Sequence, residues 1–288
     1  MTSSPGTLAG LSEIASRYDA LFCDVWGVVH NGLAAYPQAI EALLTYRRQG
    51  GRVVFITNAP RPSAPIVTML DQFGVPRGAY DGIVSSGDAS RAMIAAYRGK
   101  IVHHVGPPEI DDALYEGLGV TRGPAEAAEV VVVTDLVTDD DTPDMYDDQM
   151  ALWLRRGLPM ICANPDKFVE VGDRLVYCGG ALADIYAERG GKVQMAGKPF
   201  PPIYAECLRL AEEAAGKAIA RSRILAVGDS VRTDAVGAAA FDIDLLFITG
   251  SIHAGELDAF GTPDPAAIRA LVSPSGAKLA GFLPRLAW

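Results

Sequence analysis

Residues 21–32 read LFCDVWGVVHNG, a short apolar run that stops on a carboxylate and passes into a glycine-containing turn. In open α/β sheets, ligand sites form beyond the carboxyl ends of the strands. Asp24 is therefore a candidate functional side chain, although an aspartate in this place can also serve only to cap a turn. The choice between these interpretations depends on whether Asp24 has partners elsewhere in the chain.

Strand-like and helix-like segments alternate along the sequence, which is the pattern of parallel βαβ units. Strands are predicted at 20–24, 53–56, 82–84, 101–105, 130–133, 160–163, 193–195, 224–227 and 245–248. Helices are predicted at 37–49, 63–73, 110–116, 181–189 and 202–215. Two further helices are predicted to begin near 87 and 233, and another is predicted to follow the acidic segment 138–143 and end near 155. We expect the remaining tail to be peripheral.

The pattern of strands and helices restarts near Lys100, so the chain is predicted to contain one α/β unit inserted in another. The fold class that this indicates is α/β, with a doubly wound, Rossmann-like parallel sheet and a smaller inserted α/β cap. The predicted core covers residues 1–86 and 179–288, and the predicted cap covers 87–178. A chain of 288 residues is long enough for both units.

Composition and charge exclude several classes of function. The formal net charge of −10 argues against nonspecific nucleic-acid binding, which needs a basic face. No apolar run reaches the roughly 18–20 residues of a membrane span, and the first residues lack the features of a signal peptide. We therefore expect a cytoplasmic protein with no membrane and no nucleic-acid partner.

The cysteines and the acidic segment 138–143 are interpreted structurally rather than as metal sites. The four cysteines are scattered without metal-ligand spacing, which indicates small buried side chains in a reducing compartment. The aspartates of the acidic segment precede a predicted helix, where carboxylates suit the positive end of the helix dipole.

Polar side chains follow three predicted strands, at the point where each strand ends. These residues are Asp24, Thr57 and Asp229. Because the carboxyl ends of parallel strands share one edge of the sheet, they can meet in space. Asp234 lies five residues beyond Asp229, and oxygen ligands of this kind are those that Mg²⁺ prefers. Lys198, in its own loop, can supply a positive charge.

With these motifs in this order, the chain resembles the haloacid dehalogenase (HAD) superfamily, specifically the class IIA, NagD-like phosphatase group, from about residue 18 to 249. The motifs that carry the resemblance are the strand ending at Asp24, Ile56-Thr57-Asn58, Gly197-Lys198-Pro199, Gly228-Asp229-Ser230 with Thr233-Asp234, and, in the cap, Ala163-Asn164-Pro165-Asp166 and Cys178-Gly179-Gly180-Ala181.

The resemblance implies a phosphatase-type hydrolase in which Asp24 is the nucleophile and forms an aspartyl-phosphate. Thr57 and Asn58 would bind the phosphoryl oxygens, and Lys198 would neutralise charge on the nucleophile and the phosphoryl group. A covalent carboxylate intermediate divides one difficult displacement into two easier ones. Phosphoryl transfer depends mainly on positioning and electrostatics, which these residues would supply.

The resemblance also implies Mg²⁺ as the cofactor and a small phosphorylated metabolite as the substrate. Asp24, Asp229 and Asp234 would hold the ion, together with the backbone carbonyl of Trp26. In the cap, Asn164 and Asp166 are candidates for binding the substrate. Asp135 and Asp166 would favour polar ligands in a pocket, or both are turn formers. The exposed helices of the cap offer a surface for a homodimer.

The chain departs from the family at position 26, where the family's phosphatases carry a second aspartate that protonates the leaving alcohol and then activates the hydrolytic water. Trp26 has only an indole N–H and cannot do so near neutral pH. Losing a positioned general acid–base typically costs about 10²–10⁴-fold in rate. The backbone carbonyl is unaffected by this change, so the metal site is expected to remain.

Three functions stay open at this point. The first is a phosphatase for good leaving groups, such as aryl or acyl phosphates, or one that takes a proton from the substrate or from His30, which is otherwise a surface hairpin residue. The second is a dehalogenase or C–P hydrolase, although the family's dehalogenases do not use Mg²⁺ and would leave Asp229 and Asp234 without a purpose. The third is a catalytically weak or inactive protein that binds a phosphorylated ligand.

Overall fold

Two parallel sheets, one formed by the two ends of the chain and one by its middle, organise the fold. A computed structural model describes residues 6–107, 111–171, 174–260 and 263–288. The strands are β1 Ala20–Asp24, β2 Arg52–Thr57, β3 Gly82–Ser85, β4 Ile101–Val105, β5 Thr121–Arg122, β6 Val130–Val133, β7 Met160–Cys162, β8 Phe168–Val171, β9 Arg174–Tyr177, β10 Val193–Met195, β11 Ile224–Gly228, β12 Asp244–Ile248 and β13 Lys278–Leu283.

The helices fill the connections between these strands. They are α1 Pro37–Arg48, α2 Ser63–Gln72, α3 Ser86–Ala95, α4 Asp112–Tyr115, α5 Asp147–Arg156, α6 Gly179–Glu188, α7 Pro201–Ala215, α8 Val236–Phe241 and α9 Pro265–Val272. Proline opens α1, α7 and α9, where its missing N–H costs no helical hydrogen bond. The predicted helix at 110–116 begins at Ile110, which lies outside the described residues.

The first sheet has the strand order β13-β12-β11-β1-β2-β3 and is parallel throughout. The chain winds outwards in one direction from β1 and in the other from β11, so the topological switch point lies between these two strands. In a doubly wound sheet the ligand crevice opens at this point, outside the carboxyl ends of the strands. Asp24 ends β1, and Asp229 follows β11 directly.

Alternate residues of the central strands bury into two different apolar layers. Leu21 and Cys23 pack with α1 and α2 on one face, whereas Ala20 and Phe22 pack with α7, α8 and α9 on the other. A sheet covered by helices on both faces requires strands that are apolar throughout, as β1 is. The predicted doubly wound α/β fold is confirmed.

The second sheet has the order β10-β7-β6-β4-β5 and is also parallel. Helices α5 and α6 cover one face, and α3 and α4 cover the other. Strands β8 and β9 form a separate antiparallel hairpin, which we call the cap hairpin (Phe168–Val171 with Arg174–Tyr177). The sequence analysis did not predict this hairpin.

Helix α6 and strand β10 differ from the prediction, which ended the cap at residue 178 and assigned residues 179–288 to the core. Strand β10 pairs with β7 in the second sheet, and Leu182 and Tyr186 of α6 pack in the same apolar cluster as β7. We therefore propose that the cap extends to Met195. The hydrophobic pattern of a βα unit is the same in either sheet, so the sequence alone could not assign α6 and β10.

The C-terminal tail is part of the first sheet rather than peripheral. Strand β13 pairs with β12, and its residues Phe282 and Leu283 are buried. All four cysteines are free and buried, as predicted. In the part of the chain that the structure describes, no helix is both long and apolar enough to cross a membrane.

Candidate active site

The ammonium group of Lys198 joins two carboxylates at the switch point of the first sheet. Its Nζ lies 2.7 Å from Oδ1 of Asp24 and 2.7 Å from Oδ1 of Asp234, and all three side chains are buried. Burial alone would lower the pKa of Lys198, but Asp234 and Asp24 outweigh that effect and hold the pKa well above its ordinary value. Lys198 therefore carries a fixed positive charge beside Asp24.

The loop that delivers Lys198 is held by Asn58. The backbone N–H of Lys198 donates to Asn58 Oδ1 at 2.7 Å, and Asn58 Nδ2 donates to the carbonyl of Lys198 at 3.2 Å. Gly197 has a φ of 86°, and a Cβ there would lie 2.4 Å from Asn58 Oδ1, so only glycine allows this approach. The peptide between Lys198 and Pro199 is cis. Asn58, which is predicted to bind phosphate, thus also positions the backbone of Lys198.

Asp24, Asp229 and Asp234 form a cluster of buried carboxylates. Each offers an oxygen within 4.8 Å of the others. Burial raises the pKa of Asp24 well above its usual range, Lys198 opposes the rise, and Asp234 and Asp229 reinforce it. Burial, followed by the charge of Asp234, raises the pKa of Asp229 to about 7. When they are ionised, three carboxylates against one ammonium carry an excess of negative charge, and this crowding adds to burial in raising the pKa values of Asp24 and Asp229.

This cluster fits a divalent cation such as Mg²⁺, which prefers oxygen ligands. A divalent cation would offset the repulsion among the three carboxylates, which is an argument for a metal site that does not depend on the family resemblance. The backbone after Trp26 lies against the same cluster, because a Cβ on Gly27 would be 2.3 Å from Asp229 Oδ2. Asp24, Asp229 and Asp234 could therefore hold a metal together, and the Trp26 carbonyl, which the resemblance adds to this set, belongs to the same backbone segment.

Thr57 ends β2, the strand next to β1, and is buried. Its Oγ1 accepts a hydrogen bond from the N–H of Ala59 at 3.1 Å. A hydroxyl that accepts in this way still has its own proton to donate. Thr57 lines the same cavity as Asp24 and Lys198, so it is placed to donate to an anion there.

The cap residues Asn164 and Asp166 border the same cavity of about 250 Å³. Asn164 Nδ2 donates to Asp135 Oδ1 at 2.9 Å, and Asn164 Oδ1 accepts from the N–H of Asp166 at 3.2 Å. Asn58 Nδ2 donates to Asp166 Oδ1 at 3.2 Å and so connects the core to the cap. All the site residues predicted from the sequence thus line one cavity or its carboxylate cluster.

His30 is fully buried, which overturns its interpretation as a surface hairpin residue. Its Nδ1 accepts from the N–H of Gly32 at 2.9 Å, while Nε2 has no hydrogen-bond partner among the described residues. Burial lowers the pKa of His30 to about 4. The imidazole is therefore neutral near pH 7 and holds no acidic proton of the kind a leaving group would need.

Two residues of this region were missed by sequence reasoning. Ser251 follows β12 by three residues and lies beside Asp229, since a Cβ on Gly27 would meet both side chains. Glu170 of the cap hairpin accepts a hydrogen bond from the indole N–H of Trp26 through its backbone carbonyl. The rule that strand ends share one edge could have found Ser251, but no sequence signal indicates Glu170.

Comparisons with known proteins agree with this geometry. The family model described as haloacid dehalogenase-like hydrolase matches residues 21–120, and one described as HAD-hydrolase-like matches residues 195–272. No curated protein matches the sequence.

Solved structures cover both the core and the cap. A hydrolase of the haloacid dehalogenase-like family from Brucella suis 1330 has 44% sequence identity and a TM-score of 0.82, over 86% of this chain and 95% of that one. A possible sugar phosphatase of the HAD superfamily from Cytophaga hutchinsonii shares 18% identity with a TM-score of 0.76, over 96% and 97%. A glycerol phosphate phosphatase from Mycobacterium tuberculosis in complex with magnesium shares 24% identity with a TM-score of 0.61, over 83% and 70%.

The Brucella suis protein shows the family, because at 44% identity the similarity extends beyond a shared fold. The alignment also covers 95% of the Brucella suis chain. The two family models place the segments that contain Asp24 and Asp229 in the same family. This chain belongs to the haloacid dehalogenase-like family of hydrolases.

Proposed function

We propose that this hydrolase is a Mg²⁺-dependent phosphatase of the NagD-like group, which cleaves a small phosphorylated metabolite through an aspartyl-phosphate on Asp24. The observation that carries the proposal is the position of Lys198, whose Nζ lies 2.7 Å from both Asp24 and Asp234. A buried nucleophile with a fixed cation beside it and a carboxylate cluster behind it suits transfer of a dianionic phosphoryl group. Relatives named as phosphatases, one of them in complex with magnesium, support this choice.

In the proposed first step, a carboxylate oxygen of Asp24 attacks the phosphorus atom of the ester. The new bond joins Asp24 to phosphorus, and the bond from phosphorus to the leaving oxygen breaks with its electron pair on that oxygen. In the second step, water attacks the acyl phosphate, which releases inorganic phosphate and restores the Asp24 carboxylate. Dividing the displacement in this way is the general advantage of covalent catalysis.

Lys198 and Thr57 would stabilise charge on the transferring group. Lys198 remains protonated because its carboxylate neighbours hold its pKa well above the ordinary value, although burial opposes them. Thr57 has a hydroxyl proton to donate to a phosphoryl oxygen. When bound by Asp24, Asp229, Asp234 and the carbonyl of Trp26, Mg²⁺ would supply Lewis-acid stabilisation and reduce repulsion between nucleophile and phosphate.

The leaving group receives no proton from the residues where the family's acid would stand. Trp26 has no titratable proton near neutral pH, and His30 is neutral because burial lowers its pKa to about 4. The missing acid corresponds to about 10²–10⁴-fold in rate for a poor leaving group. We therefore propose that turnover is restricted to esters whose leaving group departs as a stable anion.

The same observation favours one alternative, a protein that binds a phosphorylated ligand with little turnover. Its cradle of Thr57, Lys198 and carboxylates would be intact, while the proton transfer would be absent. A dehalogenase has less support, because the buried cluster of Asp229 and Asp234 would have no function in an enzyme that uses no metal, and no observation favours a C–P hydrolase.

Phosphate release from acetyl phosphate and phenyl phosphate, with and without Mg²⁺, tests the proposal. We expect Mg²⁺-dependent release that Asp24→Asn abolishes, and trapping of a phosphorylated Asp24 in the wild type. If Asp24→Asn leaves Mg²⁺-dependent release unchanged, the assignment of the nucleophile is wrong. Saturable binding of phosphate analogues without turnover supports the alternative, and halide release from haloacids without metal supports a dehalogenase.

A further inference from the structure

The loop after Asp24 is shaped around the indole of Trp26. A Cβ on Gly32 would lie 2.5 Å from Cζ2 of Trp26, so the residue at position 32 must be small for the ring to fit. The His30 ring packs against the indole in an edge-on arrangement, with centroids 5.0 Å apart. His30 in turn is held by the N–H of Gly32. These contacts make Trp26 an integrated part of the site rather than a lost carboxylate.

The indole also joins the core to the cap hairpin. Nε1 of Trp26 donates to the backbone carbonyl of Glu170 at 2.5 Å. The side chain of Glu170 accepts from Ser251 Oγ at 3.3 Å, so the same hairpin residue is bonded to the loop after β1 and to the loop after β12. The hairpin is not part of the five-stranded sheet of the cap, and these bonds connect it to the core.

The cavity enclosed by this closure has a largely apolar wall beside Asp24. Apolar side chains from α2 and from the cap hairpin line it together with Trp26: Ile66, Met69, Phe168, Val169, Val171 and Val176. A ring contact of 4.7 Å between Phe168 and Tyr177, which are paired across the hairpin, supports this wall.

Three polar side chains of the cap side of the cavity, Asp135, Asn164 and Asp166, are engaged in hydrogen bonds within the protein. Asn164 bonds to Asp135 and to the backbone of Asp166, and the Asp166 carboxylate bonds to Asn58. A ligand that covers the apolar wall therefore gains free energy without having to replace these hydrogen bonds.

We propose that Trp26 is a specificity-determining residue, which holds the cap hairpin closed through Glu170 and forms with it an apolar pocket for the leaving group of an aryl-type phosphate ester. The selection of leaving groups rests on the proposed phosphatase function, whereas the closure of the hairpin does not. The electron pair of the cleaved P–O bond departs on the aryl oxygen as a phenolate, which takes a proton from solvent after release. No protein acid is required for such a group.

Equilibrium binding tests the pocket without turnover. Phenylphosphonate and methylphosphonate, whose P–C bonds are not esters, are titrated into the wild-type protein with Mg²⁺ in a calorimeter. Burial of the phenyl ring should make phenylphosphonate bind at least about tenfold more tightly. Equal affinities, or tighter binding of methylphosphonate, would overturn the pocket. If the wild type prefers phenylphosphonate but shows no phosphatase activity, the proposed function is wrong and the pocket stands.

Hydrogen exchange of Trp26→Phe tests the closure, because phenylalanine keeps an aromatic ring and removes the N–H. Exchange of the cap hairpin should become about 2- to 10-fold faster, as expected for loss of one hydrogen bond. Peptides from β6 in the cap sheet are the internal control and should not change, which separates local opening from unfolding. An unchanged hairpin in a folded variant contradicts the closure, and if the variant does not fold, the phosphonate titration of the wild type still decides the pocket.

Discussion

The side-chain amide of Asn58 holds the backbone of Lys198 from both sides, accepting from its N–H at 2.7 Å and donating to its carbonyl at 3.2 Å. The two residues are 140 positions apart in the sequence. The amide thus fixes the place from which the Lys198 ammonium reaches Asp24. The position of the Lys198 charge therefore depends on Asn58.

Asn58→Ala should therefore reduce activity through Lys198. The change leaves a buried N–H and a buried carbonyl of Lys198 without partners, which costs about 1–3 kcal/mol of stability. We expect phosphate release from acetyl phosphate to fall at least about tenfold, mainly in kcat, as displaced charges usually cause. Gln149→Ala, an exposed amide on α5, is the control. A change in KM alone would instead assign Asn58 to binding.

Lys198→Met should slow phosphate release in the presence of Mg²⁺. In the protein without metal it should also lower the free energy of unfolding. Removing one partner from a buried charge cluster costs about 3–5 kcal/mol, here because Asp24 and Asp234 lose their shared counter-ion. The rate of phosphate release should fall by about 10²–10³-fold. Urea unfolding and steady-state kinetics measure the two effects, with the exposed Lys192→Met as the control. A variant as active as the wild type would remove Lys198 from the mechanism.

Mg²⁺ should bind more tightly as the pH rises from 6 to 8. Burial raises the pKa of Asp229 to about 7, so below that pH a proton occupies a carboxyl that the metal requires ionised. Above it the proton is gone and no longer competes. We expect the Kd to fall by about tenfold over this range. Calorimetry in two buffers of different ionisation enthalpy measures the released proton, and an affinity independent of pH would contradict this arrangement of charges.

Asp135 should make the protein less stable as the pH rises from about 4 to 7. Burial raises the pKa of Asp135 to about 7 from 3.8. The folded state therefore binds more protons than the unfolded state between these values, and the free energy of unfolding falls with increasing pH. Asp135→Asn removes this pH dependence. The free energy of unfolding of the variant minus that of the wild type should therefore increase by roughly 1–3 kcal/mol from pH 5 to pH 8.

Urea unfolding at pH 5 and pH 8 measures this difference for Asp135→Asn, and Asp148→Asn, at an exposed position of α5, serves as the control. Taking the difference between variant and wild type removes contributions of the opposite sign from His30 and His104. Burial lowers the pKa of each of these histidines to about 4, so they favour the folded state increasingly as the pH rises to 6.5. A constant difference between pH 5 and pH 8 would show that Asp135 is ionised in the folded protein.

Trp26→Asp should shift activity from aryl towards alkyl phosphates. The new carboxyl could protonate a poor leaving group, while the apolar ring and its bond to Glu170 are lost. We expect the ratio of kcat/KM for an alkyl phosphate to that for phenyl phosphate to increase at least about tenfold. A further loss on alkyl phosphates, in a variant that folds and binds Mg²⁺, would contradict the explanation that Trp26 limits the proton supply.

Much of the site could be predicted because its residues end strands. Asp24, Thr57 and Asp229 each follow an apolar run, and parallel pairing brings their ends to one edge whatever the details of packing. The burial of His30 could not be predicted, because it results from Phe73 and Trp26 packing on its ring. The pairing of β10 with β7 could not be predicted, because an apolar strand does not show which neighbour it will join. The tail that contains β13 was predicted to be peripheral, and its pairing with β12 depends on the same tertiary choice.

The sequence by itself determined the doubly wound α/β class, the order of the motifs, and the absence of an aspartate two residues after Asp24. These are one-dimensional properties, set by the period of the hydrophobic pattern and by the residue types at strand ends. Only the tertiary structure decided what Trp26, which replaces that aspartate, contacts. The bond from Trp26 to Glu170 spans 144 residues, and its partner is a backbone carbonyl that every residue type carries. No local pattern encodes such a contact, because it exists only when the cap hairpin packs on the core.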